Sequence, residues 1–212
     1  SLYNIVCGVI FLVMALTHIA MQPSGCDEIW SKGCENKIPF CTKLFTPSCN
    51  CVSLKIENNK SLVTLPDSLV DDMGGLRKVC IRNCNLTVLP PRMEKLTEMV
   101  DFEISFNRLE EFMVDVGKWE KLNTLHLMYN NITNYAEQAL WTHPELAGLA
   151  LAGNALKMPA TRIYLPSLTF LHLGENNLTI KKPFDVESLP NIAFLYLNGN
   201  NLESFPSESL KY

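Results

Sequence analysis

Apolar residues recur along this chain in the pattern L-x-x-L-x-L-x-x-N-x-L, in which other apolar residues often replace leucine, and seven copies follow one another. The copies begin at Cys51, Leu76, Met99, Leu122, Leu146, Leu168 and Ile192, so the steps between them are 25, 23, 23, 24, 22 and 24 residues. The alternation within each copy predicts a short strand whose apolar side chains share one face. Because one copy cannot bury that face alone, the regular spacing predicts a solenoid of stacked copies.

The polar residue near the end of each copy is predicted to lie where the strand bends away. Its side-chain amide can bond backbone groups of adjacent coils that would otherwise be buried without partners. Cys84 takes this place in copy two, and the other copies have Asn59, Asn107, Asn130, Asn154, Asn176 and Asn200. The segments between copies carry proline soon after the bend, which predicts turns, short 3₁₀ segments and brief helices. Trp119 precedes the next strand motif by three residues. We expect its side chain to be buried between the strands and the segments that connect them on the opposite, convex side.

On these motifs, residues 51–212 resemble the leucine-rich-repeat family, and the resemblance covers about three quarters of the chain. It implies an α/β repeat solenoid, a horseshoe with a parallel β-sheet on its concave face. Cysteine at the asparagine position, as at Cys84, is a substitution that the family accepts. The sequence ends inside a repeat, so we expect a solenoid of seven repeats that is incomplete at its C-terminal end.

Residues 1–22 contain the stretch LYNIVCGVIFLVMALTHIAM, which has no Lys, Arg, Asp or Glu. About 20 helical residues span the hydrocarbon of a bilayer, so this segment predicts a transmembrane helix and a lipid bilayer as a partner. A signal peptide and a buried soluble helix are the alternatives. The segment begins without a basic region, and no good small-x-small cleavage site precedes Gln22, which favours the transmembrane helix.

Cysteines crowd into residues 23–50, just before the repeats, and indicate an oxidising compartment. Extracellular leucine-rich-repeat proteins commonly close the first layer of the solenoid with a cysteine-bonded cap, and this region resembles one. With Cys7 in the apolar segment and Cys84 in the repeat set aside, six disulfide candidates remain: Cys26, Cys34, Cys41, Cys49, Cys51 and Cys80. Six cysteines allow 15 connectivities, which the sequence leaves open. Zinc is disfavoured because no C-x-x-C pair and no nearby histidine accompany them.

Four N-x-S/T sequons occur, at Asn59, Asn85, Asn131 and Asn177. Asn59 belongs to the buried position of copy one, where a glycan would conflict with the fold. The other three follow that position directly and would form a row of glycosylation sites along one edge. Together with the cysteines they favour an extracellular or lumenal solenoid at the plasma membrane, although the repeat consensus itself easily produces such sequons.

The charge balance of 18 Lys and Arg against 22 Asp and Glu gives a net charge of -4, without a basic run. On this ground alone nucleic acid is not expected as a partner. The sequence has no nucleophile elbow, phosphate-binding loop or zinc-protease motif, so we expect neither an enzyme nor a bound cofactor or metal.

The third, fifth, seventh and eighth residues of each copy are predicted to point outward from the concave sheet. Copies one and two are basic there and copy three is acidic, whereas copy five offers only Gly and Ala between two aromatic groups. We therefore expect an aromatic-walled trough, with candidate ligand-binding residues Phe106, His126, Tyr129, Phe170, His172, Phe194 and Tyr196. The alternative is that these aromatic residues are ordinary variation at the outward positions of the repeats and have no role in binding. His126 faces Glu103 on the neighbouring strand, which predicts a raised histidine pKa.

The expected function is a membrane-tethered recognition or scaffolding module that binds a protein or a glycan through this concave face. The resemblance implies a receptor-like protein or an accessory subunit of a membrane complex. Two alternatives stay open: a regulatory domain of a larger multi-pass membrane enzyme or channel, and a self-associating structural protein.

Overall fold

The computed structural model describes residues 34–37, 51–67, 69–157, 163–179 and 189–202. The predicted transmembrane helix at residues 1–22 lies outside the described residues, as do most of the predicted cap and part of the seventh repeat. In the part of the chain that is described, no helix is both long and apolar enough to cross a bilayer.

A parallel sheet with one strand from each repeat forms the concave face. In chain order the elements are β1 (Cys34–Lys37), β2 (Cys51–Glu57), α1 (Leu69–Asp72), β3 (Lys78–Arg82), a 3₁₀ turn (Met93–Lys95), β4 (Asp101–Ser105), β5 (Glu111–Phe112), a 3₁₀ turn (Val116–Lys118), β6 (Thr124–His126), β7 (Asn134–Tyr135), α2 (Glu137–Trp141), β8 (Gly148–Ala150), β9 (Phe170–His172) and β10 (Phe194–Tyr196). The large sheet has the order β1-β2-β3-β4-β6-β8-β9-β10, while β5 pairs with β7 in a small separate sheet. This confirms the predicted solenoid, and the short helices and 3₁₀ turns between strands are those expected from the sequence.

The antiparallel strand β1 pairs with the outer edge of β2, with Cys34 opposite Leu54 and Lys37 opposite Cys51. All other neighbours in the large sheet are parallel. Part of the predicted cap therefore covers the edge of the first repeat strand, which protects it from pairing with another chain. The disulfide bonds of the cap stay a prediction, because the side chains of Cys26, Cys34, Cys41, Cys49 and Cys51 lie outside the described part.

The inward-facing residue of each strand packs between the sheet and the convex side. Leu125, Leu149 and Leu171 follow one another across the sheet and are completely buried. Trp119 is also completely buried, as predicted, with its ring 5.0 Å from that of Phe102 and its indole N–H donating to the Met93 carbonyl at 3.2 Å. One continuous apolar core thus runs through the stacked repeats.

A ladder of asparagine side chains ties successive coils together. In copy four, Asn130 accepts from the Leu109 N–H at 3.1 Å and donates to the Ile104 carbonyl at 2.8 Å. Asn107, Asn154, Asn176 and Asn200 repeat both bonds at their own positions. The predicted role of these residues is confirmed, since each amide satisfies backbone groups that the bend would otherwise leave unpaired.

The eighth residue of each copy adopts a left-handed backbone conformation, which the sequence reading did not anticipate. The φ values are 57° at Phe106, 52° at Tyr129, 53° at Glu175, 65° at Gly153 and 66° at Gly199. Asn58 and Asn83 take the same conformation in the first two copies. The abundance of Gly and Asn at this position was the available signal, because these residues adopt a positive φ at low cost. Each strand therefore ends in the same left-handed bend.

Candidate ligand-binding surface

Strand register brings the outward-facing residues of different repeats into straight rows. Thr124, Gly148, Phe170 and Phe194 are direct neighbours across β6, β8, β9 and β10. His126, Ala150, His172 and Tyr196 form the adjacent row. The predicted columns of the concave face are therefore present, and they place five of the seven candidate residues in two adjacent rows.

The charged side chains of the first copies pair with each other, either across adjacent strands or, for Lys55 and Glu57, within β2. Lys78 lies 2.7 Å from Asp101, Lys55 lies 3.3 Å from Glu57, and Arg82 makes two hydrogen bonds of 2.5 Å to the carboxylate of Glu103. The sequence predicts a basic patch in copies one and two followed by an acidic patch in copy three. Side chains of one column on adjacent strands are close enough to neutralise each other, so the N-terminal half of the face presents ion pairs instead.

The Cys80 thiol is free, which corrects its place among the disulfide candidates. It occupies the fifth position of copy two on the concave sheet, where its sulfur lies 3.9 Å from a carboxylate oxygen of Glu103. Burial and the nearby Glu103 raise the pKa of this thiol above its ordinary value. Cys80 lies in the middle of β3, so its side chain is next to the ion pairs of the concave sheet.

The aromatic residues of the concave face form two groups. Phe106 and Tyr129 stack with ring centroids 4.7 Å apart. Farther along the sheet, Tyr196 stacks on His172 at 4.9 Å and lies 5.7 Å from Phe170. Phe194, the fourth residue of this second group, is 58% exposed. The two groups flank copy five, as the sequence predicted.

The small residues of copy five are overlapped at one edge of the face by a side chain of copy four, and the predicted trough stays a prediction. Ala150 and Ala152 are almost completely buried. The Tyr129 ring lies over Gly153, where an added Cβ would be 2.4 Å from the ring, and the Tyr129 hydroxyl donates to Glu175 at 3.3 Å. Tyr129 and Glu175 therefore bridge copy five at the end of its strand.

One of the two histidines of the face differs from the sequence prediction. Burial lowers the pKa of His126, and this effect exceeds the opposing attraction of Glu103, so the predicted raised pKa is wrong. Protonation of His126 would place a cation in a half-buried site that already holds Arg82 nearby. His172 has a buried Nδ1 without a hydrogen-bond partner in the described part of the chain. No group of three or more His, Cys, Asp or Glu residues there is arranged to hold a metal ion.

The sequons differ in the accessibility of their asparagines. Asn131 and Asn177 are exposed, whereas Asn85 is half-buried and its side-chain nitrogen donates to the Lys60 carbonyl at 2.6 Å. A glycan is attached through this nitrogen, so Asn85 fits the predicted row less well than the other two. Asn59 is half-buried and accepts from the N–H and the hydroxyl of Ser61. Asn131 and Asn177 are thus the exposed asparagines among the four sequons, and glycosylation stays a prediction.

Comparison with solved structures supplies the fold. No family model and no curated protein matches the chain. The structure of Pollen Receptor Kinase 3 matches with a TM-score of 0.65 at 18% identity, covering 86% of this chain and 85% of that one. TLR13 in its complex with ssRNA13 matches with a TM-score of 0.61 at 24% identity, covering 76% of this chain and 23% of that one. The plant peptide hormone receptor RGFR1 with RGF2 matches with a TM-score of 0.52 at 17% identity, covering 71% and 28%.

This chain thus spans only about a quarter of TLR13 and of RGFR1. The TLR13 structure holds single-stranded RNA, so the fold does not support the expectation that nucleic acid is absent among the partners, and that expectation rests on charge alone. The similar structures indicate one fold. The parallel sheet with one strand per repeat and the asparagine ladder indicate the same fold. The chain has the leucine-rich-repeat fold.

Proposed function

We propose that this protein is a recognition module that binds another protein through the concave face of copies four to seven and the adjoining Phe106. Four large aromatic side chains on this face are exposed: Phe106 at 49%, Tyr129 at 37%, Phe194 at 58% and Tyr196 at 42%. Exposed aromatic residues in one region provide large contact areas at low entropic cost and commonly dominate protein binding. This exposure is the observation that carries the proposal.

The division of the concave face supports the same location. In the first copies the charged residues satisfy each other, so a ligand would have to break ion pairs such as Lys78–Asp101 to bind there. The aromatic half of the face, formed by copies four to seven, has no such ion pair among its described residues, so a ligand can bind there without breaking one. RGFR1, which has the same fold, is a peptide hormone receptor whose structure contains the peptide RGF2.

The proposal includes a membrane anchor and an extracellular or lumenal position for the solenoid. Residues 2–21 without a charged side chain support the anchor, and the exposed sequons at Asn131 and Asn177 fit exposure to the secretory pathway. Peptide mapping by mass spectrometry of membrane-extracted protein without reductant tests this part. Bridged cysteines among residues 26–51 and a glycan at Asn131 or Asn177 are expected. Free thiols together with unmodified asparagines would place the solenoid in the cytosol.

Site-specific photo-crosslinking tests the binding face itself. A photoreactive phenylalanine analogue replaces Phe194 or Tyr196 in the full chain, produced in its native cells. The control position is Tyr164, which is also 48% exposed but lies outside the sheet strands. We expect the same protein adduct from both concave positions and none from Tyr164. Adducts that form equally at Tyr164, or at neither concave position, would contradict the proposal.

A further inference from the structure

Glu175 differs from the other carboxylates of the concave face in having no cationic partner. Glu57, Asp101 and Glu103 each lie within 4.0 Å of a Lys or Arg side chain. Among the described residues Glu175 forms no salt bridge, and the Tyr129 hydroxyl that donates to it carries no positive charge. It is also the only charged side chain at the outward positions of copies four to seven. The aromatic half of the face therefore has one exposed negative charge that is not compensated.

The backbone around Glu175 holds this carboxylate in a defined place. Its φ of 53° fixes it at the left-handed bend after β9. The equivalent positions of the neighbouring copies are Gly153 and Gly199, and an added Cβ at Gly199 would lie 3.2 Å from the Glu175 Cγ. The Tyr129 ring occupies the Gly153 side, whereas glycine at Gly199 leaves the side toward copy seven without a side chain, and Glu175 is exposed. A ligand can thus approach it over copy seven as well as from above.

Aromatic rings next to Glu175 add to its attraction for a cation. The ring face of an aromatic residue carries partial negative charge and attracts Lys or Arg side chains. Tyr129 contacts Glu175 directly and stacks on Phe106. An Arg or Lys side chain at this point would meet the Glu175 carboxylate and the Tyr129 ring, while its aliphatic stem would cover apolar surface.

We propose that the ligand recognised by this face is a protein segment carrying an Arg or Lys side chain that binds Glu175, next to an apolar or aromatic side chain that packs on Phe194 and Tyr196. This inference rests on the proposed function and specifies its ligand. The Tyr129 hydroxyl keeps its bond to one carboxylate oxygen, and the ligand cation takes the other. Recognition of a cation also explains why the aromatic half has an unpaired carboxylate while the remaining carboxylates are paired.

Selection from a random displayed-peptide library tests the ligand chemistry without knowledge of the natural partner. The bait is the full chain, immobilised in parallel as wild type, Glu175→Gln, and Phe194→Ala/Tyr196→Ala. Glu120→Gln is the matched control, because Glu120 is exposed and lies outside the sheet strands. We expect wild type and Glu120→Gln to enrich peptides with Arg or Lys beside an apolar residue. Glu175→Gln is expected to lose the preference for basic residues.

Affinity measurements on one enriched peptide give the size of the effect. Its dissociation constant should rise about fivefold with Glu175→Gln, typical of a partly exposed charged contact, and change less than about twofold with Glu120→Gln. An enriched set without basic residues, or one unchanged by Glu175→Gln, would overturn the inference. If such peptides still depend on Phe194 and Tyr196, the proposed function survives and only the cationic ligand is refuted. Failure to enrich any peptide above the uncoated support would refute both.

Discussion

Replacement of Asn130 by alanine is expected to destabilise the solenoid strongly. Asn130 is 6% exposed, and its side chain accepts from the Leu109 N–H while donating to the carbonyls of Ile104 and Leu127. Alanine removes the acceptor of a buried N–H group and the donor to a buried carbonyl. Because the site is buried, the backbone groups lose these partners mainly in the folded state.

The magnitude follows from the groups that lose their partners. The Leu127 carbonyl keeps a second bond from Asn154 at 2.9 Å, so its loss is small. A buried donor or acceptor without a partner costs about 1–3 kcal/mol. With the Leu109 N–H and the Ile104 carbonyl affected, we expect Asn130→Ala to lower the free energy of unfolding by about 2–4 kcal/mol. This is a large part of the stability of a typical domain, which is about 5–15 kcal/mol.

Asn131 provides a matched control, because it is the same residue type one position later but is exposed. Urea unfolding of the full chain, followed by circular dichroism, is measured for wild type, Asn130→Ala and Asn131→Ala in protein made without glycosylation. Asn131→Ala should change the free energy of unfolding by less than about 0.5 kcal/mol. Equal effects of the two substitutions, or a loss below about 1 kcal/mol for Asn130→Ala, would refute the role of the ladder.

Gly153→Ala is expected to lower the free energy of unfolding by about 1–3 kcal/mol, because φ is +65° and the new Cβ would meet the Tyr129 ring at 2.4 Å. Gly74→Ala, where an added Cβ meets nothing within 4 Å, is its control, and similar urea midpoints for both would contradict this reasoning. The lowered pKa of His126 predicts a pH dependence, because below the ordinary value of 6.5 the unfolded state binds the proton more readily than the folded state. Its contribution is fully present above 6.5 and is lost as the pH falls toward the folded-state pKa, so His126→Gln should reduce the loss of stability between about pH 7.5 and about pH 5.5. Urea unfolding at both pH values checks this, and an unchanged or steeper loss in the variant would count against it.

The fold could be predicted because it depends on a pattern repeated along the chain. The spacing of apolar residues gives the stacking, and Asn at the bend gives the ladder, so Trp119 and Asn130 were placed correctly from sequence. Neither depends on knowing how far a particular side chain reaches. Because the seven copies share one pattern, each can be aligned with the others. The strand columns could therefore be assigned residue by residue.

Details of the binding face depend on side-chain reach and burial, which the pattern does not contain. The pairing of Lys78 with Asp101 could have been inferred, since both occupy the third position of adjacent copies. The bridge from Tyr129 to Glu175 over Gly153 could not, because it spans two strands and follows from the left-handed bend at the eighth position. The pKa of His126 was misjudged because its partner Glu103 was visible in the sequence whereas its burial was not.

The most direct test of the account is the affinity of the protein captured by photo-crosslinking at Phe194 or Tyr196 for wild type, Phe194→Ala/Tyr196→Ala and Tyr164→Ala. Both concave residues are well exposed, so the double variant should keep its urea midpoint. The account predicts that the double variant raises the dissociation constant by at least about thirtyfold, as expected for two aromatic contact residues, while Tyr164→Ala leaves it within about twofold. An unchanged affinity in the folded double variant would contradict recognition through this face.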